Sequence, residues 1–143
     1  MSEGPVPKRS VPRVLVSNRQ DLPVPEEELA ALAVSTLEAE GIAGDELSLS
    51  FVTPEEMADL HVRYMGEPGP TDVLSFPIGE DGLLGDVVVC PGEAAHNNPD
   101  LKAELRLLVV HGTLHVLGYD HEEDDQRTVM WERQERYSGV RAG

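Results

Sequence analysis

A chain of 143 residues with 40% hydrophobic content is sized for one domain, residues 1–143, and can bury a core without staples. Its formal net charge of −16 works against indiscriminate coating of nucleic acid, because polyphosphate repels such a protein at long range. No apolar run approaches the length of about eighteen residues that a membrane span needs, and the single cysteine, Cys90, excludes an internal disulfide.

In chain order, MSEGPVPKRSVPR is basic but has no apolar run behind it, so it does not read as a secretory signal. With one thiol and no signal, the expected location is the cytoplasm. The charge is uneven: Lys8, Arg9, Arg13 and Arg19 oppose only Glu3 in residues 1–20, whereas residues 21–60 carry acids alone. Val11 to Ser17 reads as a first strand. Pro25 followed by Glu26, Glu27 and Glu28 opens a helix, with Leu29, Leu32, Ala33 and Leu37 on one face and Gly41 to end it. Leu47 to Val52 alternates as a half-buried strand. Thr53, Pro54 and Glu56 then form a capping-box start for a short helix towards Met65.

Gly66 to Pro70 is a turn-rich break, and Asp72 to Ile78 and Leu84 to Cys90 read as two strands joined through Gly79 to Gly82. Asn97, Asn98 and Pro99 signal the next helix, whose apolar positions run from Leu101 through Leu105, Leu108, Val109 and Val116 to Leu117, where Gly118 stops it. Asp124 to Tyr137 forms a last, exposed helix. The expected fold class is α+β, with about four strands in a mixed sheet and several helices.

The long helix carries HGTLHVLGYDH, residues 111–121. His111 and His115 stand one turn apart, about 6 Å along the axis, so both imidazoles can reach one ion. A third ligand on the same face would be another turn away. Gly118 breaks the helix instead, and Tyr119 and Asp120 carry the chain round so that His121 can turn back. Three imidazoles leave a fourth tetrahedral position for water, the layout of a catalytic zinc site. The spacing equals that of the metzincin proteases, H-E-x-x-H-x-x-G-x-x-H, but Gly112 stands where their glutamate base would be. Glycine cannot take a proton, so a protease reading lacks its base.

A second block, Pro70-Thr71-Asp72-Val73-Leu74-Ser75-Phe76-Pro77, is followed by Gly85-Asp86-Val87. Together with HGTLHVLGYDH, and with Met130 and Glu135 beyond it, this block resembles the YbeY-type rRNA maturation factors, the metal-dependent endoribonucleases of bacteria. The similarity covers roughly residues 45–137. It implies a zincin-like α+β core with the metal site on the long helix. It also implies one zinc ion per chain, with His111, His115 and His121 as its ligands and as the catalytic residues. The activity implied is cleavage of single-stranded RNA in late small-subunit (16S) rRNA processing, above all at the 3′ end, with rRNA and the small ribosomal subunit as partners. One departure is visible. Many members have an arginine five residues before the Pro-Thr-Asp-Val block, thought to hold RNA phosphate, where this chain has Met65. Arg63 is the nearest substitute, though it would face elsewhere on a helix.

Other residues carry two readings each. Asp120 either orients a histidine through its second ring nitrogen or simply makes the turn. Lys102, Arg106 and Arg127 flank the metal motif as phosphate contacts or as solvated cations. Thr71, Asp72 and Ser75 either line the cleft or shape a strand start. Glu122 to Asp125 supply a proton acceptor or favour a helix start through its dipole. Met130 and Cys90 read as core residues, and His61 and His96 as surface ones. Competing functions are a non-catalytic, metal-stabilised module that docks on the ribosome or another partner, a small-metabolite hydrolase, and a metzincin-like protease without its base.

Overall fold

The structure, a computed structural model, describes residues 11–119 and 124–140. Its elements run β1 (Arg13–Asn18), α1 (Glu26–Ala39), β2 (Glu46–Phe51), α2 (Pro54–Met65), β3 (Val73–Glu80), β4 (Leu83–Val89), α3 (Pro91–Ala94), α4 (Leu101–Val116) and α5 (Asp124–Ser138). The four strands form one mixed sheet in the order β1-β2-β4-β3, parallel except for β3, which runs antiparallel to β4 along one edge. The expected α+β class and four-stranded mixed sheet are thus observed. Among the described residues no helix is long and apolar enough to cross a membrane.

Alternation along the strands sorts side chains onto two faces. Leu47, Leu49 and Phe51 of β2 and Val87 and Val89 of β4 join Leu29, Ala33 and Leu37 of α1 and Leu105, Val109 and Leu114 of α4 in the main core. Val88, one residue out of phase, lies on the other face with Leu74, Val52, Cys90 and Met57 of α2. Cys90 is fully buried, as expected, and burial pushes its thiol up. The result is three layers, with α4 laid across β3 and β4 on the main-core side.

Local chemistry explains most boundaries, and four expectations need correction. Asp81 and Gly82 both take positive φ (58° and 75°), so the β3–β4 turn is the two-residue kind favoured by Asp-Gly; Gly79 lies inside β3, where the register shifts between Pro77 and Glu80. The N-cap of α4 is Asp100, whose carboxylate accepts from the Ala103 N–H at 3.1 Å, and the short α3 precedes it unannounced. Thr53 caps α2 by accepting from the Glu56 N–H at 3.1 Å, but the Glu56 carboxylate accepts from Arg19 (2.7 and 3.2 Å). His61 is half-buried and not a surface residue: its Nδ1 donates to the Gly69 carbonyl at 2.8 Å and its Nε2 lies 3.1 Å from Glu67, closing the 66–70 turn.

Glu28 ties the first turn of α1 to α4, accepting from Lys102 and Arg106 at 2.9 Å each. Lys102 lowers the Glu28 carboxyl from its ordinary 4.5, partial desolvation opposes this, and Arg106 adds to the lowering. A carboxyl lowered on folding contributes stability above 4.5 and loses it as pH falls through the folded value. Thermal midpoints measured downward from that pH should therefore fall less steeply in Glu28→Gln than in the parent. Parallel curves would contradict the linkage.

Candidate active site

The C-terminal half of α4 is fixed by what it buries. Val109, Val110, Leu114 and Val116 face the interior, which leaves His111 and His115 half-buried along one flank. Four residues apart, their rings pack edge to face, with centroids 4.7 Å apart and planes at 69°. Buried Gln134, on α5, meets the first of them: His111 Nδ1 donates to Gln134 Oε1 at 2.7 Å. That bond places a ring proton on Nδ1 and so makes Nε2 the nitrogen left to take a metal, as in the Nδ1–H tautomer of a metal-ligating imidazole. An i, i+4 imidazole pair with one tautomer set by a buried amide is a donor set suited to zinc and similar ions.

Gly112 sits between the two histidines and faces the sheet. A Cβ at this position would lie 2.5 Å from Val87 Cγ1 and 3.3 Å from both Val73 Cγ2 and Ser75 Oγ. The helix therefore approaches β3 and β4 so closely that any side chain here would force Val87 or the helix itself to shift. Ser75 uses the proximity, its hydroxyl donating to the Gly112 carbonyl at 3.1 Å. The absent glutamate follows from helix–sheet packing as much as from chemistry.

Beyond His115, α4 ends as the glycine suggests. Gly118 has φ 102°, its N–H donates to the His115 carbonyl at 3.0 Å, and the Tyr119 N–H donates to the Leu114 carbonyl at 3.0 Å. These are the paired bonds of a Schellman stop, and they reverse the chain immediately after the second histidine. His121 and Asp120 lie outside the described residues, so the expected third ligand and its neighbour are not placed. Among the described residues, no three histidine, cysteine, aspartate or glutamate side chains come together to hold a metal.

Two of the candidate phosphate contacts, Arg63 and Arg106, make bonds within the protein. Arg63, on the exposed side of α2, pairs with Asp59 at 2.7 Å. Arg106 donates from Nη1 to Glu28 at 2.9 Å and from Nε to the Ser138 carbonyl at 3.0 Å, joining α1, α4 and the end of α5. Asp72 acts structurally: its carbonyl accepts from the Cys90 N–H at 2.9 Å, and its carboxylate accepts from Asn97, which also donates to buried Glu104. Met130 is fully buried and belongs to the main core. Gln134 is the site residue that sequence reasoning missed. Its one signal is a polar side chain four residues after Met130, on the stripe that α5 buries.

Comparison with known proteins gives these features a family. Residues 15–139 match the family model described as Endoribonuclease YbeY. Proteins of that name from Thermobifida fusca and Beutenbergia cavernae are 46% and 44% identical to this chain, over 83% and 85% of it and 87% and 91% of their own lengths. The solution structure of TM1509 from Thermotoga maritima is similar with a TM-score of 0.60 at 31% identity, covering 87% of this chain and 86% of that one. A family model that takes in most of β1, the other three strands and the histidine-bearing helix assigns the protein: it belongs to the endoribonuclease YbeY family.

Proposed function

We propose that His111, His115 and His121 hold one zinc ion per chain, in a zincin-like arrangement on the long helix, and that the ion serves cleavage of single-stranded rRNA. The observation that carries this reading is the Gln134 bond, which fixes His111 as the Nδ1–H tautomer one turn from His115. Zinc bound there would supply Lewis-acid chemistry, offsetting charge that develops on a phosphoryl group and easing deprotonation of an attacking hydroxyl. Attack by the RNA's own 2′-hydroxyl needs no protein carboxylate at position 112, where a side chain would crowd Val87. The main core argues against a zinc whose task is to hold the fold, because α4 is already seated by Leu105, Val109 and Leu114.

Relatives named as endoribonucleases support an RNA substrate. The physiological role we infer is late processing of small-subunit rRNA at its 3′ end, in the cytoplasm and in company with the small ribosomal subunit. Cells lacking the protein should accumulate small-subunit rRNA with extended 3′ ends, read by end mapping; normal ends would overturn that role. The site itself makes a separate demand on Gln134. Gln134→Leu keeps the bulk and removes the acceptor, and zinc affinity should fall about ten- to a hundredfold. Unchanged affinity in a chelator competition would remove the amide from the site.

A further inference from the structure

The last helix is poorly equipped to fix its own orientation by apolar packing. Of its described side chains only Met130, Gln134 and Ser138 are buried, and a single one of these is hydrophobic. Its polar anchor is Glu40, at the C-cap of α1, whose side chain is 8% exposed. Glu40 Oε2 accepts from Arg133 Nη1 at 2.7 Å and from the Tyr137 hydroxyl at 2.5 Å. Its other oxygen, Oε1, accepts from the Tyr119 hydroxyl at 2.7 Å, and the Arg133 guanidinium lies 5.6 Å from the centre of the Tyr119 ring.

The three donors bracket the histidine pair. Arg133 immediately precedes Gln134, and Tyr137 lies one turn further along, so together they set the rotation of the helix that presents Gln134 to His111. Tyr119 closes the Schellman stop that follows His115 and leads towards His121. We propose that Glu40 is a positioning residue for the histidine site, setting the His111 tautomer through α5 and the exit from α4 through Tyr119. This inference rests on the three-histidine zinc reading for its metal readout and on the Gln134 bond for its metal-free one.

A buried carboxylate is an inefficient source of net stability, since its desolvation offsets much of what its partners return. It does impose geometry. Four hydrogen-bonding groups from three segments must meet at one point, and an apolar substitute would let α5 rotate. Burial raises the Glu40 carboxyl, but the bonds from Tyr137, Tyr119 and Arg133 outweigh it, so its net displacement is downward and it is charged when the protein works.

The test compares the full chain with Glu40→Gln, Tyr137→Phe and Val88→Ala, the last a core deletion on the opposite sheet face. The His111 tautomer is read by long-range proton–nitrogen NMR without metal, zinc affinity by competition with a chromogenic chelator, and stability by thermal unfolding. Glu40→Gln should mix the tautomers and weaken zinc binding by about fivefold or more, and Tyr137→Phe should move both readouts the same way by about twofold. Val88→Ala should lower the thermal midpoint and leave both readouts alone. Retention of tautomer and affinity in Glu40→Gln, or equal changes in Val88→Ala, would overturn the proposal. Should Glu40→Gln fail to fold, Tyr137→Phe decides the matter alone. A parent that binds no zinc would contradict the zinc reading and not this one, because the tautomer comparison uses metal-free protein.

Discussion

Glutamate at position 112 should unfold this protein or nearly so, and should not turn it into a peptidase. The substitution completes the metzincin spacing, so a reading from motif alone expects gain of function. Geometry expects the reverse. Even a methyl group at Gly112 meets Val87 Cγ1 at 2.5 Å, with Val73 and Ser75 close behind. Gly112→Ala should be destabilised by about 1–3 kcal/mol from overpacking, less about 1 kcal/mol returned by better helix propensity. Gly112→Glu adds a carboxylate wedged between helix and sheet, and a loss above about 4 kcal/mol is expected. That is a large share of the roughly 5–15 kcal/mol that holds an ordinary domain together. Chemical denaturation of both variants, beside a peptide-cleavage assay, checks this; parent-like stability in Gly112→Glu would show that α4 can lift off the sheet freely.

Alanine at His111 or His115 should abolish tight zinc binding and lower RNA cleavage on the order of a thousandfold, about 4 kcal/mol of barrier, while leaving the fold in place. Both side chains are half-buried on the flank of α4, and the helix is seated by apolar residues on its other faces. His111→Ala also strands buried Gln134, so it should be less stable than His115→Ala by about 1–2 kcal/mol. Elemental analysis of the purified variants, with thermal unfolding, separates the effects. Metal content equal to the parent's in both would end the three-histidine reading.

The parts of this molecule that follow from local chemistry were legible in its residues. Period-2 alternation announced β2, apolar spacing announced α1 and α4, and Gly118 announced the chain reversal that the Schellman bonds deliver. The histidine pair was legible because i, i+4 spacing on a helix fixes proximity without knowledge of the fold. What depends on contacts distant in sequence was not. Gln134 reaches His111 across 23 positions and Glu40 meets Tyr137 across 97, and no spacing rule links such pairs. Arg106 shows the same limit: adjacency to a motif suggests a phosphate contact, and no local pattern announces its bonds to Glu28 and the Ser138 carbonyl. At Gly112 the motif shows only that a base is missing, and the helix–sheet distance reveals what a side chain there would displace.

Cleavage of a single-stranded RNA by one preparation, zinc-loaded, then chelated, then reloaded, tests the central claim most directly. Strand scission should be present with zinc, lost on chelation and restored on reloading. Equal cleavage in the loaded and chelated states, or none in either, would contradict a zinc-dependent endoribonuclease built on His111, His115 and His121.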